Sequence, residues 1–388
     1  MHSAATDISS TGRPSSAAVS SPRVLIAAGG TGGHVYPAIA IADALQEECP
    51  DTEILFAGTK DHMEWHAVPD AGYDIRSIWI SGFHRRLTLK NLLFPAKLSV
   101  SLVQSYSLVG TFNPDIVVSC GGYVAGPVGW VAARRGVPLV VQEQNSYPGV
   151  TNRILGRSAE MIFTAFEDAN RYFPTGKTVV TGNPTRKALT TVDNEEAYRA
   201  FEFTPHQQTL LVLGGSGGAR SINEAMIANI QHLHDELQLQ VIWQCGPSYY
   251  DKYRNEAEQM ELPNLRLQSY IRNMDQAYAA ADLVVSRAGA LSCSELALTG
   301  TPSILVPSPN VAGDHQTRNA RSMADTGAAI LVKDSNLKHS IVETVEQVLG
   351  NPDQLETMRR AARALAKPDA ANMIATEILK ITESKHTE

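Results

Sequence analysis

A histidine stands at the end of a glycine-rich loop near the start of the chain. The segment Gly29–Gly33 holds four glycines in five positions, directly after the apolar run Val24–Ala28 and directly before His34. Glycines let a backbone approach a ligand closely, and the amide groups at the start of a following helix attract an anion. An imidazole there could take a proton from a substrate hydroxyl, or it could hold the loop through hydrogen bonds.

Two later loops have the same local pattern. Gly214–Gly218 follows the apolar run Thr209–Leu213. Arg287–Ala290 follows the apolar run Leu283–Ser286. Each loop leads into a stretch with helical spacing, whose first amide groups suit a diphosphate. The carboxylate of Glu295, about one turn into the second helix, could accept two hydrogen bonds from a ribose diol, or it could cap its own helix.

The elements around these loops alternate regularly along the chain. In the first half, apolar runs typical of buried strands are separated by stretches with helical spacing. The predicted strands are 24–28, 53–58, 74–80, 115–119, 137–141, 161–164 and 179–182. Such alternation indicates a parallel sheet covered on both faces, which binds ligands at the carboxyl ends of its strands.

The same order of strand, glycine loop and helix restarts after Asn183-Pro184, so we place a domain boundary there. Further strands are predicted at 209–213, 241–244, 265–269, 283–286 and 303–307. We therefore predict an α/β fold of two Rossmann-like domains that face each other across a cleft. The domains cover 22–182 and 183–368, a final helix at about 369–384 crosses back to the first, and residues 1–21 form a disordered tail.

Composition restricts the classes of partner. The 388 residues include 33 Lys and Arg against 40 Asp and Glu, a net charge of −7, which argues against nucleic acid as the main partner. The four cysteines form no C-x-x-C pair, so they indicate neither a zinc site nor a disulfide framework and fit a reducing cytoplasm. The N-terminal residues contain no apolar segment typical of a secretory signal.

Several motifs in a fixed order carry a resemblance to a known family. They are Gly29-Gly30-Thr31-Gly32-Gly33-His34, Gly121-Gly122-Tyr123, Glu143-Gln144-Asn145, Gly182-Asn183-Pro184 with Arg186, Gly214-Gly215-Ser216, Arg287-Ala288-Gly289-Ala290 and Asp314-His315-Gln316. With these motifs, from Pro22 to about Lys380, the chain resembles the MurG family, N-acetylglucosaminyltransferases with the GT-B fold.

The resemblance implies an inverting hexosyltransferase for peptidoglycan synthesis. The donor would be UDP-GlcNAc, and the acceptor the 4-hydroxyl of MurNAc in undecaprenyl-diphospho-MurNAc-pentapeptide, called lipid I. The product would be lipid II, made by a peripheral protein on the cytoplasmic face of the cell membrane. No cofactor or metal is expected, because the chain has no D-x-D motif, with which other glycosyltransferases hold a divalent cation on the diphosphate.

The resemblance also implies which residues hold the donor. Beside the donor sugar it places Thr31, Gly32, Gly33, Asn145 and Gln316. On the side of the nucleotide and diphosphate it places Arg186, Ser216, Ile271, Ala290, Leu291, Ser292, Cys293, Ser294 and Glu295, with the backbone of Ile271 offered to uracil. His34 is the candidate base because its loop belongs to the acceptor-side domain. Alternatively, it orients the loop while an acidic group takes the proton.

One segment of the first domain mixes charged and large apolar residues. Phe83–Leu98 combines cations with large apolar residues, which suits an anionic membrane surface or, alternatively, an ordinary amphipathic core helix.

Two alternative functions remain open. Within glycosyltransferases, the alternative is a diacylglycerol glycosyltransferase of the same fold. From another class, the rival is a nucleotide-binding, nicotinamide-dependent dehydrogenase, against which the absence of G-x-G-x-x-G with a downstream acid argues.

Overall fold

The computed structural model describes residues 21–82, 93–311 and 314–387, and these form two α/β domains, each built on one parallel sheet. The strands of the first domain are β1 (Arg23–Ala28), β2 (Glu53–Gly58), β3 (Asp74–Ser77), β4 (Ile116–Gly121), β5 (Leu139–Glu143), β6 (Met161–Thr164) and β7 (Thr178–Val180). Its helices are α1 (Gly32–Glu48), α2 (Glu64–Asp70), α3 (Phe94–Phe112), α4 (Ala125–Arg134) and α5 (Val150–Leu155). The predicted fold class is confirmed. The predicted tail, up to residue 20, lies outside the described residues.

The second domain repeats the plan. Its strands are β8 (Thr209–Leu213), β9 (Gln240–Gln244), β10 (Leu265–Gln268), β11 (Leu283–Ser286), β12 (Ser303–Leu305) and β13 (Ala329–Leu331). The helices from residue 194 onward are α6 (Asn194–Ala200), α7 (Arg220–Asp235), α8 (Tyr250–Glu258), α9 (Met274–Ala280), α10 (Ala290–Thr299), α11 (His315–Asp325), α12 (Leu337–Leu349), α13 (Pro352–Ala364) and α14 (Ala370–Thr387). None of the helices in the described part of the chain combines the length and apolar character needed to cross a bilayer.

Both sheets have the doubly wound strand order. The first runs β3-β2-β1-β4-β5-β6-β7 and the second β10-β9-β8-β11-β12-β13. In each sheet the order reverses beside the first strand of the domain, between β1 and β4 and between β8 and β11. Helices leave opposite faces of the sheet at such a reversal, which opens a crevice at the carboxyl ends of the strands. The glycine loops follow β1 and β8, so both lie at these crevices.

Strand β1 shows why this sheet has two covered faces. Its side chains alternate between two core clusters: Val24 and Ile26 pack in one, Leu25 and Ala27 in the other, and all four are fully buried. Helix α14 contributes Ile374 and Ile378 to the first of these clusters, where they pack with the apolar side chains of α1. The end of the chain thus covers the first domain, although α14 follows the second domain in sequence.

The loops after β1 and β4 touch each other through a glycine. Gly122 has a φ of +84°, and a Cβ on it would lie 2.2 Å from the carbonyl oxygen of Gly29. No side chain fits at that distance, so the close approach of the two loops requires glycine at position 122.

We expect Gly122→Ala to lower the free energy of unfolding by about 2–5 kcal/mol, because strain at positive φ adds to overlap with the neighbouring loop. Gly136→Ala is the matched control. Gly136 has a φ of +71° and no heavy atom within 4 Å of its potential Cβ, so only the backbone strain of about 1–2 kcal/mol applies. Urea unfolding of both variants measures the difference. Equal destabilisation would show that the two loops do not touch.

Candidate active site

A cavity of about 450 Å³ opens between the domains where the two crevices face each other. It brings together 13 of the predicted site residues: Thr31, Gly32, Gly33, His34, Asn145, Arg186, Ser216, Ile271, Ala290, Leu291, Ser292, Glu295 and Gln316. Loops from both sheets contribute to its lining, so a ligand in this cavity would touch both domains.

Cys293 and Ser294 do not line this cavity, in contrast to the prediction. Both line a smaller cavity of about 210 Å³ near the segments where the chain crosses between domains. Cys293 is buried in the core of the second domain, and the Ser294 hydroxyl accepts a hydrogen bond from Asn183 Nδ2 at 3.1 Å. These contacts turn the two side chains of α10 away from the ligand cavity.

His34 lies in the first turn of α1, which begins within the glycine loop at Gly32. The Thr31 hydroxyl oxygen and His34 Nδ1 are 3.2 Å apart. The ring packs against Gly121, where a Cβ would come within 2.7 Å of its Cδ2. Burial lowers the pKa of His34, although a hydrogen bond to the Gly29 backbone and the charge of Glu64 oppose the shift. The imidazole is therefore neutral at neutral pH.

Glu64 fixes the first glycine loop, and we did not predict it as a site residue. This carboxylate is fully buried and accepts hydrogen bonds from the Gly30 amide at 3.1 Å, the Thr59 amide at 3.0 Å and the Thr59 hydroxyl at 2.6 Å. A Cβ on Gly29 would lie 2.6 Å from its Oε1, which explains why glycine is needed there as well. The available signal was its position shortly after the carboxyl end of β2.

Glu143 positions Asn145 in a similar way. Its carboxylate accepts hydrogen bonds from the amide and side chain of Asn145, the Gly149 amide and the Asn152 side chain, at 2.9–3.2 Å. Burial raises the pKa of Glu143, and these hydrogen bonds oppose the rise because they favour the ionised form. Asn145 therefore reaches the cavity from a rigid turn at the end of β5.

On the opposite wall, helix α10 points its first turn into the cavity. Its N-cap Gly289 is extended and offers no side-chain cap. The amides of the following residues therefore stay free to bind an anion from the cavity. Ser216, in the glycine loop after β8, is exposed beside them.

Gln244 connects two parts of the second domain's binding surface and was also missed. Its side chain accepts a hydrogen bond from the Ile271 amide at 2.9 Å and donates one to the Gly215 carbonyl at 3.0 Å. The Ile271 amide is thus already used, which leaves the carbonyl as the backbone group of that residue that a ligand could bind. Gln316 is oriented by the Ser308 amide, which donates to its Oε1 at 2.8 Å, and its amide nitrogen remains as a donor.

Glu295 lies at the centre of a small charged cluster. Tyr278 donates a hydrogen bond to its Oε2 at 3.1 Å, and Arg186 Nη2 lies 3.9 Å from its Oε1. Burial raises the pKa of Glu295, whereas Arg186 and Tyr278 oppose the rise. The carboxylate makes these contacts with other elements and does not cap its own helix, so the capping alternative is wrong, and the role in ribose binding stays a prediction.

Arg186 and two tyrosines join the domains across the cavity. The Arg186 guanidinium lies 4.4 Å from the ring centroid of Tyr36, on α1. The Tyr36 hydroxyl contacts the hydroxyl of Tyr270, next to Ile271 in the second domain. Within the described residues, Arg186 Nε is buried without a hydrogen-bond partner.

Comparison with known proteins places the chain in a family. Residues 24–164 match the glycosyltransferase family 28 N-terminal domain, and residues 209–374 match the glycosyltransferase family 28 C-terminal domain. A protein of Salinibacter ruber is 48% identical over 94% of this chain and 98% of its own length. It is named UDP-N-acetylglucosamine--N-acetylmuramyl-(pentapeptide) pyrophosphoryl-undecaprenol N-acetylglucosamine transferase. A protein of Flavobacterium psychrophilum has the same name and is 44% identical over 94% of this chain and 98% of its own length.

Solved structures agree with this placement. The crystal structure of Acinetobacter baumannii MurG has a TM-score of 0.68 and 30% identity, over 93% of this chain and 99% of that one. The UDP-GlcNAc 2-epimerase of Neisseria meningitidis has a TM-score of 0.66 over 92% and 100% of the two chains, but at 15% identity it shows the fold alone. The chain belongs to glycosyltransferase family 28 and, within it, to the MurG family that its motifs predicted.

Proposed function

We propose that the chain transfers N-acetylglucosamine from UDP-GlcNAc to the 4-hydroxyl of MurNAc in lipid I, with inversion, and so makes lipid II for peptidoglycan synthesis. The observation that carries this function is the name of the S. ruber relative, which aligns along 94% of the chain. The cleft supports it, because a cavity lined by both domains suits a reaction between two large substrates. Family membership leaves no support for the dehydrogenase alternative.

The donor nucleotide lies on the second domain in this proposal. The carbonyl of Ile271 accepts a hydrogen bond from uracil, and the Glu295 carboxylate accepts hydrogen bonds from the ribose hydroxyls. The diphosphate meets the first-turn amides of α10 and the loop that carries Ser216. The donor sugar then extends toward Asn145, Gln316 and the first glycine loop.

The departing UDP gains negative charge in the transition state, and fixed positive groups stabilise it there. The amides at the start of α10 supply partial positive charge, and the guanidinium of Arg186 supplies a full one. The buried Nε–H of Arg186, which has no partner in the described part of the chain, is available to a phosphate oxygen. This stabilisation requires no divalent metal.

His34 is the proposed general base. A sugar hydroxyl is a poor nucleophile, so proton removal during attack speeds the reaction. Burial keeps the imidazole neutral, and a ring nitrogen must be neutral to accept a proton. Its Nδ1 faces the Thr31 hydroxyl at the edge of the cavity, which is a position that an acceptor hydroxyl can take over.

The first domain also carries a face suited to the cytoplasmic surface of the membrane, where we place the protein as a peripheral enzyme. An apolar groove of about 340 Å³ is lined by residues of α3, α4 and α5, including the half-exposed Trp130 and Ile154. Cations flank it: the Arg134 guanidinium lies 4.7 Å from the Trp130 ring centroid, and Lys97 Nζ lies 5.5 Å from that of Trp79. Apolar groups with neighbouring cations favour anionic lipid. Most of the predicted segment 83–98, namely 83–92, lies outside the described residues.

The function is tested by UDP release from UDP-GlcNAc. We expect release that depends on a lipid I analogue, persists in EDTA and gives the disaccharide product. Diacylglycerol replaces lipid I in a parallel reaction and should give no release above background. Release with diacylglycerol alone would establish the rival glycosyltransferase, and a strict requirement for added magnesium would refute the proposed stabilisation of UDP.

We expect His34→Ala to lower turnover by about 10²–10⁴, the usual contribution of a general base, with UDP affinity nearly unchanged. Wild-type turnover should fall as the pH drops through the His34 pKa, below about 6.5, because only the neutral ring accepts a proton. The variant should lack this acid limb.

His66→Ala is the matched control, since His66 is an exposed histidine of the same domain that does not line the cavity. It should keep both turnover and the acid limb. Loss of UDP binding or of folding in His34→Ala would instead assign His34 to orienting the loop, and an intact acid limb would assign the base role to another group.

The membrane face is tested with vesicles that contain anionic lipid. We expect Ile154→Glu to weaken binding about tenfold or more, since it removes an apolar contact and adds repulsion. Met373→Glu changes a similarly exposed apolar residue on α14 and should bind as wild type does (exposures are 56% for Ile154 and 46% for Met373). Equal weakening by both variants would show that binding follows net charge alone and not this face.

A further inference from the structure

We propose that Tyr278 is a positioning residue that makes the donor site select ribose over a sugar without the 2′,3′-diol, because it holds the Glu295 carboxylate in the orientation that binds this diol. This inference rests on the proposed function, in which UDP-GlcNAc is the donor. Neither the sequence motifs nor the family match assigned Tyr278 a role.

The contact joins two separate elements of the second domain. Tyr278 lies on α9 and Glu295 on α10, and the Tyr278 hydroxyl donates to Glu295 Oε2 at 3.1 Å. Both residues are nearly buried, with 3% and 7% of their surfaces exposed, yet both line the cavity between the domains. The hydrogen bond therefore lies in the wall of the cavity, where it can fix the direction of the Glu295 carboxylate.

The carboxylate retains the capacity to bind a ligand. Its two oxygens can accept about four hydrogen bonds. Tyr278 supplies one, and Arg186 lies 3.9 Å from the other oxygen, beyond hydrogen-bond distance. Glu143, by comparison, already accepts four hydrogen bonds from its own surroundings. Glu295 can thus accept both hydroxyls of a ribose, provided that it is ionised and fixed in direction.

Tyr278 also affects the ionisation of the Glu295 carboxyl. Burial raises the pKa of Glu295, and among the groups that face it Arg186 is the cation, while Tyr278 and Tyr270 are neutral at pH 7. A protonated carboxyl has lost acceptor capacity and no longer suits a diol. Removing the Tyr278 donor should raise the pKa further, so that UDP binding is lost at a higher pH than in the wild type.

Calorimetric titration of the full chain with UDP and with 2′,3′-dideoxy-UDP tests the proposal. Tyr278→Phe keeps the ring and removes only the hydroxyl. We expect it to weaken UDP binding about fivefold to twentyfold and to leave dideoxy-UDP binding within about twofold, since the dideoxy ligand does not use Glu295. The acid limb of UDP binding should move to higher pH.

Two further variants serve as references. Glu295→Gln should abolish most of the preference for UDP over dideoxy-UDP. Tyr253→Phe removes the hydroxyl of a buried tyrosine that packs on Trp243 in the same domain, away from the cavity, and should preserve the preference. If Tyr278→Phe does not fold, 3-fluorotyrosine at position 278 keeps the shape with a stronger donor, and it should move the acid limb to lower pH.

The outcomes are distinct. Equal weakening of UDP and dideoxy-UDP without a shift of the acid limb would show that Tyr278 is merely structural. A wild type that binds UDP, with preference lost in Glu295→Gln but retained in Tyr278→Phe, would overturn the proposal and leave the proposed function intact. A wild type that binds neither ligand would overturn the proposed function and this inference with it.

Discussion

A parallel sheet offers a ligand its backbone amides only where the strand order reverses, because there the neighbouring crossovers separate. This chain has two such places, beside β1 and beside β8, and they face the same cavity. Each requires glycines, since the loop there comes into backbone contact with the loop after a neighbouring strand. Gly122, after β4, lies against Gly29, and a Cβ on Gly218 would lie 2.0 Å from the carbonyl oxygen of Cys245, which follows β9. The binding surface on both sides of the cleft depends on these close approaches.

Three buried carboxylates around the cavity differ in how much of their hydrogen-bonding capacity is used by neighbouring groups. Glu64 and Glu143 accept hydrogen bonds mainly from amides of nearby loops, which fixes the loops and leaves little capacity for a ligand. Glu295 has one hydrogen-bond donor and a more distant cation. The same side-chain type therefore serves as a support on the first domain and lines the cavity with unused acceptor capacity on the second. Burial alone would not distinguish these roles.

Local patterns were sufficient to predict the two domains, and the family resemblance implied most of the residues that line the cavity. An apolar run followed by glycines and a helical stretch indicates the carboxyl end of a strand, and all such ends in a parallel sheet meet at one edge. The predicted ends of strands were less accurate where a backbone amide bonds to a side chain and not to a neighbouring strand. Strand β3 ends at Ser77 instead of residue 80, because it is an edge strand and the Trp79 amide donates to the Gln104 side chain at 2.7 Å.

Contacts between separate elements could not be read from the sequence. Tyr278 reaches Glu295 from another helix, and Glu64 reaches Gly30 across 34 positions, and no periodicity connects either pair. The orientation of Cys293 and Ser294 was missed for the same reason, since helical position alone does not say which neighbour occupies each face. The sequence motifs therefore located the residues that line the cavity better than the residues that hold them in place.

In the proposed reaction the second domain holds the donor nucleotide while the first supplies the base. A crystal structure of the protein with UDP-GlcNAc would show whether the two domains divide the roles in this way. We expect ribose hydroxyls within hydrogen-bond distance of Glu295, the diphosphate at the first-turn amides of α10, and the anomeric carbon facing the His34 side of the cavity. A diphosphate bound instead at Gly29–Gly33, with Glu295 free of the ribose, would show that the assignment of the two domains is wrong.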